Sequence, residues 1–152
     1  MSWSPLTSAD VLACLAAPQV AALRQGALAP GQADPLPALI ADVTARVRAE
    51  IRGGRRNRVE RDCTLLPPEL KLAAAHLALE SLQTRLPALA LTADQIRLAA
   101  DARALLARVA HGDVPVTVPA QPESDIEANA QFGVEVLGSR RRHISSRDLA
   151  GM

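Results

Sequence analysis

The chain has 152 residues and a formal charge of +1 at pH 7, with 17 basic and 16 acidic residues and 49% hydrophobic content. That length favours one domain. The near-neutral balance excludes a globally basic nucleic-acid binder and an acidic solvating protein, leaving room only for local charged patches. Trp3 and Phe132 are the only aromatic residues. A core must therefore be built from Leu, Val, Ile and Ala, a composition that suits helices better than a β-sandwich, which favours β-branched and aromatic side chains. Lys71 is the only lysine. The arginine excess has two readings: coding bias in a GC-rich genome, or selection for bidentate contacts to phosphate or carboxylate.

Cys14 and Cys63 are too few and too far apart for a disulfide framework or a CxxC-type site, which fits a reducing compartment. The first residues lack a basic region followed by an apolar run, so no secretory signal is expected. Prolines and charges interrupt every apolar stretch short of the ~20 residues a membrane span needs. The expectation is a soluble chain with no membrane partner.

Residues 1–33 read as a short helical start. Thr7 and Asp10 have the spacing of a capping box, Val11, Leu12 and Leu15 follow, and Pro18 suits the first turn of a helix reaching about Gln25. Gly26, Pro30 and Gly31 then form a loop. The clearest helix is 35–52, with Asp34 as N-cap and Pro35 at its first position. Leu36, Leu39, Ile40, Val43, Val47 and Ile51 form one apolar stripe. Gly53 is placed to be the left-handed residue that ends this helix. A basic connector follows over 53–66, and Pro67, Pro68 and Glu69 start a helix to about Arg85. Leu70, Ala73, Ala74, Leu77, Ala78 and Leu82 line one side of it. Leu72 and Leu79 lie off that stripe, as if both faces were covered, one of them by another subunit. Thr92 and Gln95 cap a last helix that closes at Gly112, with Ile96, Ala99, Ala100, Leu105, Leu106 and Val109 as its apolar positions.

After Gly112 the pattern changes. Val114 to Pro119 alternates and is rich in proline, which suits an extended edge segment. Residues 120–152 carry almost no core pattern. Their charge is split, with Glu123, Asp125, Glu127 and Glu135 first, then Arg140, Arg141, Arg142 and Arg147. The expected fold is all-α: a bundle of about four helices over 1–112 with a long extended C-terminal arm over 113–152, ordered by neighbouring chains.

No catalytic signature is present. His76 and Glu80 are four apart on a helix, a spacing that can hold a metal, but no HExxH accompanies them. Cys63 beside Asp62 could act as a nucleophile if His76 or His111 came near; a lone cysteine without a local signature is usually inert. There is no Walker motif and no GxGxxG. Neither a metal nor a cofactor is expected. From Arg46 to Arg61 seven arginines face two glutamates, a local balance of +5. Three readings stay open: a solvated hinge with intrachain pairs, a docking surface for an acidic protein, and contact with nucleic-acid backbone. The last lacks the aromatic residues that single-strand stacking uses. The Arg140–His143 run has the same readings, with partner contact favoured.

The order of these features resembles the head–tail connector (neck adaptor) proteins of tailed bacteriophages, of the Mu-like prophage type. The residues are Trp3 before Thr7-Ser-Ala-Asp10-Val11; the helix from Asp34 through Ala45 and Ile51 to Gly54-Arg55; Pro67-Pro68-Glu69-Leu70; the helix from Thr92 to Ala110-His111-Gly112; and the ending Ser146 to Met152. The likeness spans roughly residues 3–112 and, more loosely, the C-terminus. Arg56 stands where the family often has Tyr, and the spacing from Trp3 to Thr7 is longer than usual. The resemblance implies a non-enzymatic ring, commonly a dodecamer, beneath the portal protein in the virion neck, assembled in the bacterial host cytoplasm. Its partners would be the portal, neighbouring copies, a tail or stopper protein, and genomic DNA passing non-specifically. The candidate partner-binding residues are Arg55, Arg56, Arg58, Arg61, Phe132, Arg140, Arg141, Arg142 and Arg147. The alternative is a small Arg-rich nucleic-acid-binding regulator.

Overall fold

The computed structural model describes residues 2–27, 34–54, 56–86 and 89–124. Within them the chain is mainly helical: α1 (Ser8–Leu12), α2 (Ala17–Ala27), α3 (Leu36–Gly53), α4 (Pro68–Arg85) and α5 (Ala93–His111), with two-residue strands β1 (Ser4–Pro5) and β2 (Leu65–Leu66). The three long helices pack on one another, and α1 lies against α3 and α4.

Capping chemistry places most of the ends. Thr7 and Asp10 cap each other's backbone at the start of α1, and Thr92 and Gln95 do the same for α5. Gly112 ends α5 in the left-handed conformation, φ 81°, where only glycine avoids a Cβ penalty. The N-cap of α3 is Pro35 and not the expected Asp34, which stands one residue before it and accepts from the Leu36 N–H through Oδ1 at 2.9 Å. The end of α3 differs from expectation. Gly53 belongs to the helix, and its successor Gly54 has φ −75°. Gly54 is needed for close approach instead: a Cβ there would collide with the Val109 carbonyl oxygen of α5.

The core is aliphatic. Leu36, Leu39, Val43, Val47 and Ile51 of α3 are buried, with Ile40 half-buried beside them. α4 is the central element. Leu70, Ala73, Ala74, Ala75, Leu77, Ala78, Leu79 and Leu82 are all buried, because α3, α5 and α1 surround it. Leu79 is thus covered within the chain and needs no second subunit, whereas Leu72 is 64% exposed. On α5 the buried stripe is Ala99, Ala102, Leu106 and Val109, which leaves Ile96, Leu98 and Ala100 at the surface. The alanines of α4 and α5 let the two backbones approach closely.

Trp3 and Leu6 are buried on either side of β1, which pairs antiparallel with β2 in the register Ser4↔Leu66 and Pro5↔Leu65. α2 is fastened through buried Leu23 and through Gln19, whose amide donates to the Ala90 carbonyl at 2.8 Å and reaches Gln95 at 2.9 Å. Among the described residues no helix is long and apolar enough to cross a membrane.

Candidate docking surface at the connector between α3 and α4

The connector from Gly54 to Pro67 has little regular structure of its own, so its backbone polar groups need other partners. Arg48 supplies them. It projects from α3 between Thr44 and Ile51 and is only 2% exposed. Its Nη1 donates to the carbonyls of Asp62 and Leu65, both at 2.9 Å, and its Nη2 donates to the Glu60 carbonyl. One side chain therefore holds the connector at three points. Burial pushes the Arg48 pKa below its usual value and repulsion from Arg52 adds to this, while Glu123 and Asp62 act in the opposite sense. Asp62 turns the chain just before β2: its Oδ1 accepts from the Thr64 N–H at 2.9 Å and from the Thr64 hydroxyl at 2.7 Å. Those bonds hold its carboxyl below the ordinary range.

Residues 113–124, placed by the sequence pattern at the root of a separate arm, return as a strap across this connector. Val116 and Pro119 are buried, but most of the fastening is polar. The Trp3 indole N–H donates to the Thr117 carbonyl at 2.8 Å. Glu69, in the first turn of α4, accepts from the Thr117 N–H and, at 3.0 Å, from its hydroxyl. The Asn57 side chain spans three backbones: its amide donates to the carbonyls of Val114 (3.2 Å) and Val109 (3.5 Å), and its oxygen accepts from the Val116 N–H at 3.2 Å.

Further on, the strap pairs antiparallel with the connector around a Glu60↔Pro122 bridge. The Arg61 N–H donates to the Gln121 carbonyl at 2.7 Å and the Glu123 N–H to the Val59 carbonyl at 2.8 Å. The Glu60 carboxylate, on a residue only 5% exposed, accepts the Gln121 N–H with both oxygens, at 3.0 and 3.1 Å. Finally Arg52 grips the Glu123 carboxylate with Nε and Nη2, each at 3.0 Å. Both side chains are largely shielded, at 15% and 8% exposure. That makes this fork stronger than a typical solvated ion pair, whose net value is near zero to 1 kcal/mol.

Seven arginines in sequence thus do not make a seven-arginine surface. Arg46 is exposed on α3, Arg48 is internal, Arg52 is held by Glu123, and Arg56, Arg58 and Arg61 are exposed at the connector. Arg55, Phe132, Arg140, Arg141, Arg142 and Arg147 lie outside the described residues. The strap brings Ser124, the last described residue, to the same connector strand that carries Arg58 and Arg61. Sequence reading missed Arg48, Arg52, Asn57, Glu60, Glu69 and Glu123 as the residues that build this corner. The one available signal was the arginine at position 48, on the flank of an otherwise apolar helical stripe.

The other candidates remain apart. Glu80 pairs with Arg103 of α5, not with His76. Among the described residues the buried Nδ1 of His76 finds no hydrogen-bond partner, and burial lowers its pKa. Cys63 is exposed, and Cys14 donates weakly to the Asp10 carbonyl at 3.5 Å, its pKa raised by burial and by Asp10. Among the described residues no group of three or more His, Cys, Asp or Glu side chains could hold a metal ion. An open groove of about 260 Å³ between α3 and α4 is lined by Leu39, Val43 and Leu77, and it also carries the facing charges Asp42 and Arg85, 3.7 Å apart. Compared with protein-family models, curated proteins and solved structures, the chain matches none.

Proposed function

We propose that the chain is a structural adaptor and not an enzyme: a head–tail connector of a tailed phage. Copies of it form a ring in the virion neck, dock on the portal and present a platform to the stopper or tail protein. It assembles in the host cytoplasm, and DNA passes through the ring without being read. The observation that supports this reading is the convergence at one corner of the bundle. The exposed Arg56, Arg58 and Arg61 and the end of the fastened strap at Ser124 share the connector. Any contact made by residues 125–152 starts there. Their charge is split between acidic and basic blocks, which fits head-to-tail binding between copies, the kind of heterologous contact that closes into rings. Exposed Leu72 lies one helical turn from Glu69, which holds Thr117, and Val118 next to it is 83% exposed. These add apolar surface beside the same strap.

Limited trypsin digestion of the free chain tests the reading. The expected result is rapid cleavage at Arg140–Arg142 and Arg147 with residues up to Ser124 resistant, and protection of the tail once copies assemble on a portal. A free monomer whose tail is as resistant as its bundle would contradict it, because the tail would then need no partner.

A further inference from the structure

We propose that the strap, residues 113–124, is an exchangeable element: in an assembly it leaves its own connector and occupies the identical slot of a second copy. The inference deepens the adaptor reading by naming the contact between copies, although exchange itself needs only this chain.

The slot is a recognition site for an extended segment that carries a glutamate side chain at its far end, Glu123. The backbone of Val59 and Arg61 supplies the ladder, the buried Glu60 carboxylate takes one N–H of the incoming strand, and Arg52 takes the Glu123 side-chain carboxylate as a two-bond fork. This is strand addition with one charged anchor. Behind Arg52 stands Arg48, a buried cation whose direct partners are carbonyls. Glu123 acts on the charge of Arg48 as well, so an empty slot leaves two cations one helical turn apart without the carboxylate that offsets them. The slot therefore favours being filled, by whichever copy supplies the strand.

The strap is built to move as a unit. It hangs from Gly112, whose left-handed backbone has open space around it. Its hold is mostly polar, through Asn57, Glu60, Glu69 and Arg52, with Val116 and Pro119 as its buried side chains and Val114 half-buried beside them. Every bond broken in leaving one slot is re-formed in the next, so exchange between copies is close to neutral in energy. In a free chain the strap competes for its own slot at an effective concentration on the order of millimolar, which keeps single copies closed. Copies held side by side remove that advantage.

Complementary charge reversal on the full-length chain tests this. One variant carries Arg52→Glu, the other Glu123→Arg. In each alone, like charges face each other in the slot, whether the strap comes from the same copy or from another. When the two are mixed, both cross-pairings become favourable. The expected result by sedimentation velocity is a new species in the mixture of about twice the mass of either variant alone, or larger. Placing both substitutions in one chain should restore wild-type behaviour. A mixture that sediments as the sum of its parts overturns the proposal, as does either variant alone assembling as far as the mixture. If a reversal variant does not fold, single cysteines at Arg58→Cys and Ser124→Cys in a Cys14→Ala, Cys63→Ser background replace it, since these positions lie opposite in the register of the Glu60–Pro122 bridge. Mixed and oxidised gently, they should give mainly the hetero-disulfide dimer, and a statistical mixture with the homodimers counts against exchange. No portal is present in either experiment, so failure here leaves the adaptor reading standing with a different contact.

Discussion

Replacing Arg48 by methionine tests whether one buried side chain organises the connector. Methionine keeps most of the volume and removes the guanidinium, and three carbonyls lose their donor: Glu60, Asp62 and Leu65. Bonds from a charged donor are worth about 1.5–3 kcal/mol each, but their sum overstates the loss. Removing the charge also relieves the cost of burying a cation, which in other proteins can make such a replacement neutral. Here that compensation is incomplete, because the carbonyls stay behind without partners. Rehydration helps most at exposed Asp62 and least at buried Glu60. A net loss of roughly 3 kcal/mol follows. Lysine at the same position keeps the charge but lacks the planar fork, and should lose about 2 kcal/mol. Arg56→Ala, at an exposed position, should stay within about 0.5 kcal/mol of wild type. Urea denaturation at constant m gives all three values. An Arg48→Met midpoint indistinguishable from that of Arg56→Ala would refute the argument, since three carbonyls, that of Glu60 buried, would then have lost their donor at no cost.

Other expectations follow from single contacts. Gly54→Ala should destabilise by roughly 1–3 kcal/mol by forcing α3 away from the Val109 carbonyl, whereas Gly53→Ala, with about 3.7 Å of room to Ala110, should be neutral or slightly stabilising by melting temperature. His76 has a folded pKa below its ordinary 6.5 because of burial. The unfolded chain therefore binds the proton more readily, and stability should fall as pH drops below about 6.5. His76→Gln should flatten that part of the melting temperature–pH profile, and an unchanged profile would remove His76 from the account. DNA should bind weakly and without sequence preference, with a log–log salt slope of about −3 if Arg56, Arg58 and Arg61 each neutralise one phosphate. Tight sequence-specific binding that survives physiological salt would instead favour the regulator reading.

Much of the bundle was legible because local chemistry sets it. The reciprocal Thr7–Asp10 and Thr92–Gln95 caps, the Pro67-Pro68 start and Gly112 need no tertiary information: α1 and α4 begin, and α5 begins and ends, where these residues place them. What stayed hidden depends on residues distant in sequence. Arg48 meets carbonyls 12–17 residues away, and a helical pattern that scores arginine as polar assigns it to solvent. Gly54 is required by the carbonyl of Val109 on another helix, so the Gly53-Gly54 pair reads equally well as a left-handed stop. The two-residue strands are too short for any alternation to show. The strap reads as the beginning of an arm because Val116 and Pro119 are its few buried side chains, and the polar side chains that hold it lie on α3 (Arg52), the connector (Asn57 and Glu60) and α4 (Glu69). The exposed arginines were visible as a group, but how many were already committed inside the chain was not.

The central claim is that this chain is a ring-forming adaptor between a portal and the next neck protein. Electron microscopy of the purified chain, alone and incubated with a candidate phage portal protein, tests that most directly. The account predicts a closed ring of copies coaxial with the portal, with residues 125–152 in contact with a neighbouring subunit or the portal. A chain that stays monomeric and unbound in the presence of a folded portal ring would contradict it.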